Sequence, residues 1–219
     1  MIKTIFSINW IFTILFNFRY LSFKHAVKLP IVFYGRVSMY SWKGKVAVPD
    51  RSGMATIQFG KPVVGLFDKK LATVLNIHGD LLFAGKATFG KGCSFSVGPG
   101  STLSFGHSCT ITAKSSIAAS DRTEIIIGDH CLFSWDVLVM STDFHKIIQE
   151  EEVINSSANI KIGNQVWIGA RSLILKGSVI ADGSVIGAGT LVNKKLTTER
   201  SVYAGVPAKE LKGNILWQK

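Results

Sequence analysis

The sequence is short of cysteine, proline and acid, and each shortage excludes something. Only three cysteines, Cys93, Cys109 and Cys131, stand in 219 residues. None has C-x-x-C spacing or a neighbouring histidine pair, so no metal site is expected. Their odd number fits a reducing cytosol better than a disulfide-stapled secreted domain. Prolines number 5 against 21 glycines, and 47% of residues are hydrophobic. That balance argues against disorder and for many short strands joined by tight turns. Acids number 14 against 25 lysines and arginines, a formal charge of +11. An excess of this size implies an anionic partner: nucleic acid, a phosphorylated cofactor or anionic lipid.

A clean membrane-spanning run is missing too. The opening MIKTIFSINWIFTILFNF is interrupted by Lys3, Thr4, Ser7, Asn9, Thr13 and Asn17, and no A-x-A-like cleavage site follows. Spanning takes roughly 20 mostly apolar residues, and a signal peptide needs a cleavable end. Ile5, Ile8, Phe12 and Leu15 keep helical spacing, with Arg19, Lys24 and Lys28 downstream. Residues 1–28 therefore read as a helix capping an open core end. A second reading is a peripheral helix at the inner face of the membrane, beside anionic lipid.

What the sequence has is a period of six. Ile162, Ile168, Ile174, Ile180, Ile186 and Val192 are evenly spaced, as are Phe105, Ile111 and Ile117, then Ile127, Phe133 and Val139, with Phe89 and Phe95 a further pair. Four residues after each anchor the side chain is mostly small: Val166, Ser172, Ser178, Ser184 and Thr190, and upstream Cys109, Ser115, Cys131 and Val137. Neither a helix (3.6) nor a strand (2) has this period. A triangular coil does: each hexapeptide gives a short strand and a corner, and three close a turn of about 18 residues. The aliphatic anchor fills the coil and the small residue lets the chain round the corner. The cysteines all occupy the small-residue position and read as buried fillers. Two interruptions stand out. The step from Ile117 to Ile127 is ten, which predicts a bulge or insertion at one corner. The stretch HKIIQEEEVINSSANIK, from His145, leaves the register and predicts an external loop over 146–160. Loops on a rigid scaffold are where function tends to sit. The expected organisation is thus an apolar and basic segment (1–28), irregular early coils (29–88), a hexapeptide β-helix (89–196) and a basic, helical tail (197–219).

The run IKIGNQVWIGARSLILKGSVIADGSVIGAGTLVNKKL…YAGVPAKELK resembles the signature of the hexapeptide-repeat acyltransferases, and more narrowly of the sugar O-acetyltransferases. The detail covers about Phe105 to Lys212. The resemblance implies an all-β, left-handed parallel β-helix, a homotrimer, and acetyl-CoA bound between neighbouring subunits. It implies His145, in MSTDFHKI, as catalytic base, with Asp143 orienting the imidazole or else holding a corner. A sugar hydroxyl is a poor nucleophile at neutral pH, and an imidazole can take its proton as it attacks the thioester. No Ser or Cys nucleophile motif is evident, so transfer is expected to be direct.

The same resemblance places acetyl-CoA along Ala170 and Ala188, which follow glycines eighteen residues apart, and near Asn193, Lys194, Lys209 and Lys212. Lysine at the last two keeps the charge of the more usual arginine without its bidentate geometry. Trp167 in VWIG is expected to line the transfer site or a subunit interface, and Trp135 and Asp136 to meet acceptor or neighbour. His130 reads as a turn residue. The expected acceptor is a bacterial surface glycan or its glycolipid precursor, in the cytoplasm. An N-acyltransferase on an amino-sugar and a non-catalytic β-helical scaffold are the alternatives. No nucleic-acid motif accompanies the charge.

Overall fold

In a computed structural model, residues 7–62, 64–68 and 70–218 are described. From Ile31 onward the chain winds as a left-handed parallel β-helix of triangular section. Among the described residues its three faces hold nine, seven and seven strands, visited in the order first, second, third on every turn. The first face runs from Ile31–Phe33 to Val202–Ala204, the second from Val37–Trp42 to Leu191–Val192, and the third from Lys45–Ala47 to Lys195–Leu196. Every pairing along these runs is parallel.

Apart from the irregular early turns and the long fifth coil, the coils are of a wide and a narrow kind, and the anchors reflect this. Ala87 pairs with Cys109, 22 residues on, whereas Trp167 pairs with Val185, 18 residues on. In the wide coils the buried anchors step six, six and ten: Phe83, Phe89, Phe95, Phe105, then Ile111, Ile117 and Ile127. The step of ten is therefore no single bulge. It recurs at the corner between the second and third faces and adds four residues to the turn. A wider triangle has room for phenylalanine, and the fully buried phenylalanines Phe59, Phe89, Phe95 and Phe105 lie in this half. The narrow coils are filled by Ile162, Ile168, Ile174, Ile180, Ile186 and Val192. Close packing leaves few voids, so coil length and side-chain volume must change together.

The small corner residues do more than fill. Ser172 Oγ donates to Gly169 O and Gly187 O (2.9 and 3.0 Å), and Ser178 Oγ to Leu175 O and Val192 O (2.6 and 3.0 Å). Cys109 and Cys131 thiols donate likewise to Gly128 O and Gly163 O, each at 3.1 Å. Carbonyls turned inward at the corners thus find partners. Burial pushes the Cys93 thiol up to about 12, so it stays a neutral filler.

The open end of the first coil is closed by α1 (Trp10–Tyr20), followed by a short α2 (Phe23–Ala26). Asn9 caps α1, its side chain accepting from Phe12 N at 3.1 Å. Two polar residues that break the apolar run explain the fit. Asn17 exchanges hydrogen bonds with both backbone groups of Ile31 (2.7 and 3.2 Å), and Thr13 Oγ1 accepts from Phe33 N at 3.1 Å. They stand in for the missing previous coil and satisfy the first strand's edge. The helical series read from the sequence is only partly kept. Ile5 lies outside the described residues, Ile8 bridges Tyr34 before the helix begins, and Leu15 points away from the core that Phe12 joins.

At the other end, Val202–Ala204 adds one more rung, and Lys209–Lys212 folds back antiparallel upon it. The expected helix in the tail is thus a strand that covers the last sheet edge. Trp217 then reaches down the first face, its indole donating to Gln165 O at 2.8 Å.

Candidate active site

The excursion leaves the second face after Leu138–Met140 and rejoins the third at Ile160–Ile162, slightly wider than the loop read from the sequence. It carries a two-stranded antiparallel hairpin, Ile148 opposite Val153. Both feet are pinned to one carboxylate: Thr142 Oγ1 and Ser157 Oγ donate to Asp121 Oδ2 at 2.5 and 2.7 Å. Those bonds, Thr142's first, hold the Asp121 carboxyl below its ordinary range. Phe144 adopts φ 61°, its N–H bonded to Thr142 Oγ1 at 3.0 Å, and this tight turn presents His145 to solvent.

Asn155 fixes the geometry around His145. Its side chain accepts from Ile147 N (2.6 Å) and donates to His145 O and Asp143 Oδ2 (both 2.8 Å). Lys176, one coil above, donates to Asp143 Oδ2 at 2.6 Å and to Asn155 O at 2.5 Å. Of the two readings of Asp143, orienting the imidazole or holding a corner, its contacts are those of the second. Its carboxylate is taken up by Lys176 and Asn155, which hold it below the ordinary range in that order. Asp143 braces the loop. His145 itself lines a cleft of about 570 Å³ with Asp121, Arg122, Thr142, Lys146 and Val153.

Several of the remaining candidates fall elsewhere. Trp135–Asp136, Ala170–Arg171 and Ala188–Gly189 stack where the first face turns into the second. Arg171 N donates to Trp135 O at 3.0 Å and Gly189 N to Ala170 O at 2.8 Å. A Cβ at Gly169 would stand 2.5 Å from the Ala188 nitrogen, so the IGA glycine is required by the stacking of coils. Trp135 and Asp136 therefore sit below the alanine column, not beside His145. There Asp136 pairs with Lys114 (3.1 Å) and Trp135 meets the ring of Phe67 (6.5 Å between centroids). Trp167 lies on the first face, donating to Ser134 Oγ at 3.2 Å, with the Trp217 ring 6.1 Å away.

Asn193 and Lys194 occupy the corner between the second and third faces, the corner of His145 and Lys176. Lys209 pairs with Ala204 above the alanine column, whereas Lys212 pairs with Val202 at the far end of that strand. The cofactor candidates thus divide between two corners of one chain. The second-face strand Leu173–Leu175 separates them, with Ala170 before it and Lys176 after it.

Asn155, Lys176, Asp121 and Arg122 escaped the sequence reading. Lys176 left a trace, as a lone cation in the apolar LILKGSV. Asn155 left none within its Ser/Asn-rich surroundings. Replacing Asn155 by alanine removes three side-chain hydrogen bonds around the loop. It is expected to speed amide exchange over residues 143–158 at least tenfold. Exchange measured by mass spectrometry checks this; unchanged exchange would remove Asn155 from its bracing role.

Residues 159–194 match the family model described as bacterial transferase hexapeptide (six repeats). Over 122 residues the chain is 41% identical to the polysialic acid O-acetyltransferase of Escherichia coli O1:K1 / APEC, which is 55% of this chain and 39% of that protein. The chain thus spans well under half of that relative's length. The solved structure of the polySia-specific acetyltransferase NeuO is similar with a TM-score of 0.56 and 25% identity, covering 87% of this chain and 79% of that one. AntD, an N-acyltransferase from Bacillus cereus solved with dTDP and 3-hydroxybutyryl-CoA, shares the fold at TM-score 0.51 and 19% identity, over 84% and 79% of the two chains.

Proposed function

We propose that this hexapeptide-repeat β-helix, similar to the polysialic acid O-acetyltransferases, transfers an acetyl group from acetyl-CoA to a sugar hydroxyl of an anionic bacterial surface glycan. The observation that carries the reading is the cleft around His145, on a braced loop and flanked by the cations Arg122 and Lys146. A carboxylated sugar polymer would meet complementary charge there. Its hydroxyl would give its proton to the His145 imidazole as the oxygen attacks the thioester carbonyl. Collapse of the tetrahedral adduct forms the ester and breaks the C–S bond. The imidazolium then returns the proton to the departing thiolate, so CoA leaves as the free thiol.

The division of residues between two corners supports a site built by two copies. His145, Lys176, Asn193 and Lys194 of one chain would face Ala170, Ala188 and Lys209 of a neighbour in a cyclic trimer. The outer side of the second face fits that role in the upper coils. Leu173 is exposed there, and Leu138, Met140, Leu175 and Leu191 are half-buried in the single chain. Lys209 would then lie toward the nucleotide phosphates, with Trp167 near the acetyl group.

The test is acceptor-dependent release of CoA thiol, read with a panel of glycans. Sialic acid polymers should support release at least tenfold above neutral dextran, and Arg122→Ala should raise the KM for the anionic acceptor alone. Equal release with neutral glycans, or with none, would contradict the acceptor class. Preference for an amino-sugar would favour N-acylation instead.

A further inference from the structure

The helix that closes the solenoid is apolar on both sides. Phe12, Phe16 and Tyr20 pack inward against Phe33 and Trp42. On the opposite side Ile11, Ile14, Leu15 and Phe18 follow the spacing i, i+3, i+4, i+7, and they are 77%, 45%, 58% and 47% exposed. The Phe18 ring continues the patch to Phe23, 5.9 Å away and 75% exposed. A helix that served only as a solenoid cap would turn polar residues to water.

The part of the chain that carries this patch has charge of one sign. The first 49 residues contain Lys3, Arg19, Lys24, Lys28, Arg36, Lys43 and Lys45 and no Asp or Glu, which is seven charges of the net +11. Lys3 lies outside the described residues. The first acid, Asp50, is 3.7 Å from His25 Nε2. An apolar stripe rimmed by lysine and arginine is the composition of a helix that lies in a membrane interface. Two copies meeting end to end would instead bring these cations together, which disfavours a second copy as occupant.

We propose that the α1 end of the solenoid docks on the surface of an anionic lipid bilayer. Ile11, Ile14, Leu15, Phe18 and Phe23 enter the boundary between headgroups and acyl chains, while Arg19, Lys24 and Lys28 meet anionic headgroups. Among the described residues no helix is long and apolar enough to cross a membrane, so α1 rests on the surface. At about 4.8 Å per rung, the fifth coil, which carries His145, stands about 19 Å above the first. In a trimer of parallel solenoids three such ends would face one plane, and their binding would reinforce one another. The inference does not depend on acetyl transfer, since it rests on the opposite end of the molecule from the cofactor residues.

Flotation of the full chain with phosphatidylcholine vesicles, with and without phosphatidylglycerol, tests it. The chain should partition at least tenfold more strongly onto phosphatidylglycerol vesicles and be released by salt. Lys24→Ala and Lys28→Ala should each weaken partitioning about fivefold. Leu15→Glu should abolish it while circular dichroism and CoA release with a soluble acceptor stay unchanged. Absence of binding to either vesicle would overturn the proposal. So would equal binding to both. Concentration-dependent pairing in sedimentation, lost in Leu15→Glu and without vesicle binding, would assign the face to a second copy and likewise overturn it.

Discussion

Alanine in place of His145 is expected to lower acetyl transfer by about 10²- to 10⁴-fold, the range general base catalysis usually contributes. The scaffold should not notice. The side chain is exposed, and the bond that orders the turn runs from Asn155 to the backbone oxygen, which alanine keeps. Thermal unfolding of His145→Ala should match the parent within about 0.5 kcal/mol. The pair of results separates chemistry from architecture: Asn155→Ala disturbs the loop and activity together, whereas His145→Ala takes activity alone. Transfer retained within a few-fold would remove His145 from the mechanism.

The largest effect on stability is expected at Phe59. Its ring stacks on Phe33 (5.0 Å) and Phe89 (4.7 Å) and meets Phe95 edge-on (5.5 Å), so it joins three successive coils. The side chain is 1% exposed. Truncation to alanine should cost about 3–5 kcal/mol, because a wide coil cannot close on the cavity without shortening its turn. Phe59→Leu should cost under about 2 kcal/mol, and Ile174→Val in a narrow coil about 0.5–1.5 kcal/mol. Urea unfolding at matched protein concentration ranks the three. If Phe59→Ala lost no more than Ile174→Val, the link between coil width and aromatic filling would be wrong.

How far the sequence disclosed this molecule depends on what each feature requires. The six-residue spacing is a local pattern, and Ile162 to Val192 show it without reference to anything distant. The resemblance to the hexapeptide acyltransferases drawn from that run agrees with the family match over residues 159–194. The coils before Phe89 were harder to read because register shifts at Met39/Ser41 and Phe59/Lys61 and the longer turns break the period.

Corner membership was less legible still. Whether Asn193 stands with Ala188 or with His145 depends on every preceding turn length, and those vary from 18 and 22 residues to the longer early turns and fifth coil. Residues five apart in VIGAGTLVN therefore lie on different corners. The sequence leaves Asp143 between two roles for a similar reason. Its partner Lys176 is 33 residues away and becomes a neighbour only once the excursion has been folded back. Thr13 and Asn17 looked like flaws in an apolar run, yet they are what pairs the first strand.

One measurement bears most directly on the central claim. Oligomers of sialic acid are incubated with acetyl-CoA and the protein, and the products are weighed by mass spectrometry before and after mild alkali. The account predicts added acetyl groups that alkali removes, as esters do, and none when His145→Ala replaces the parent chain. Acetyl groups that survive alkali would show amide formation and contradict the reading of a hydroxyl acceptor. A product mass unchanged across anionic and neutral glycans, with no binding of CoA, would contradict the account as a whole.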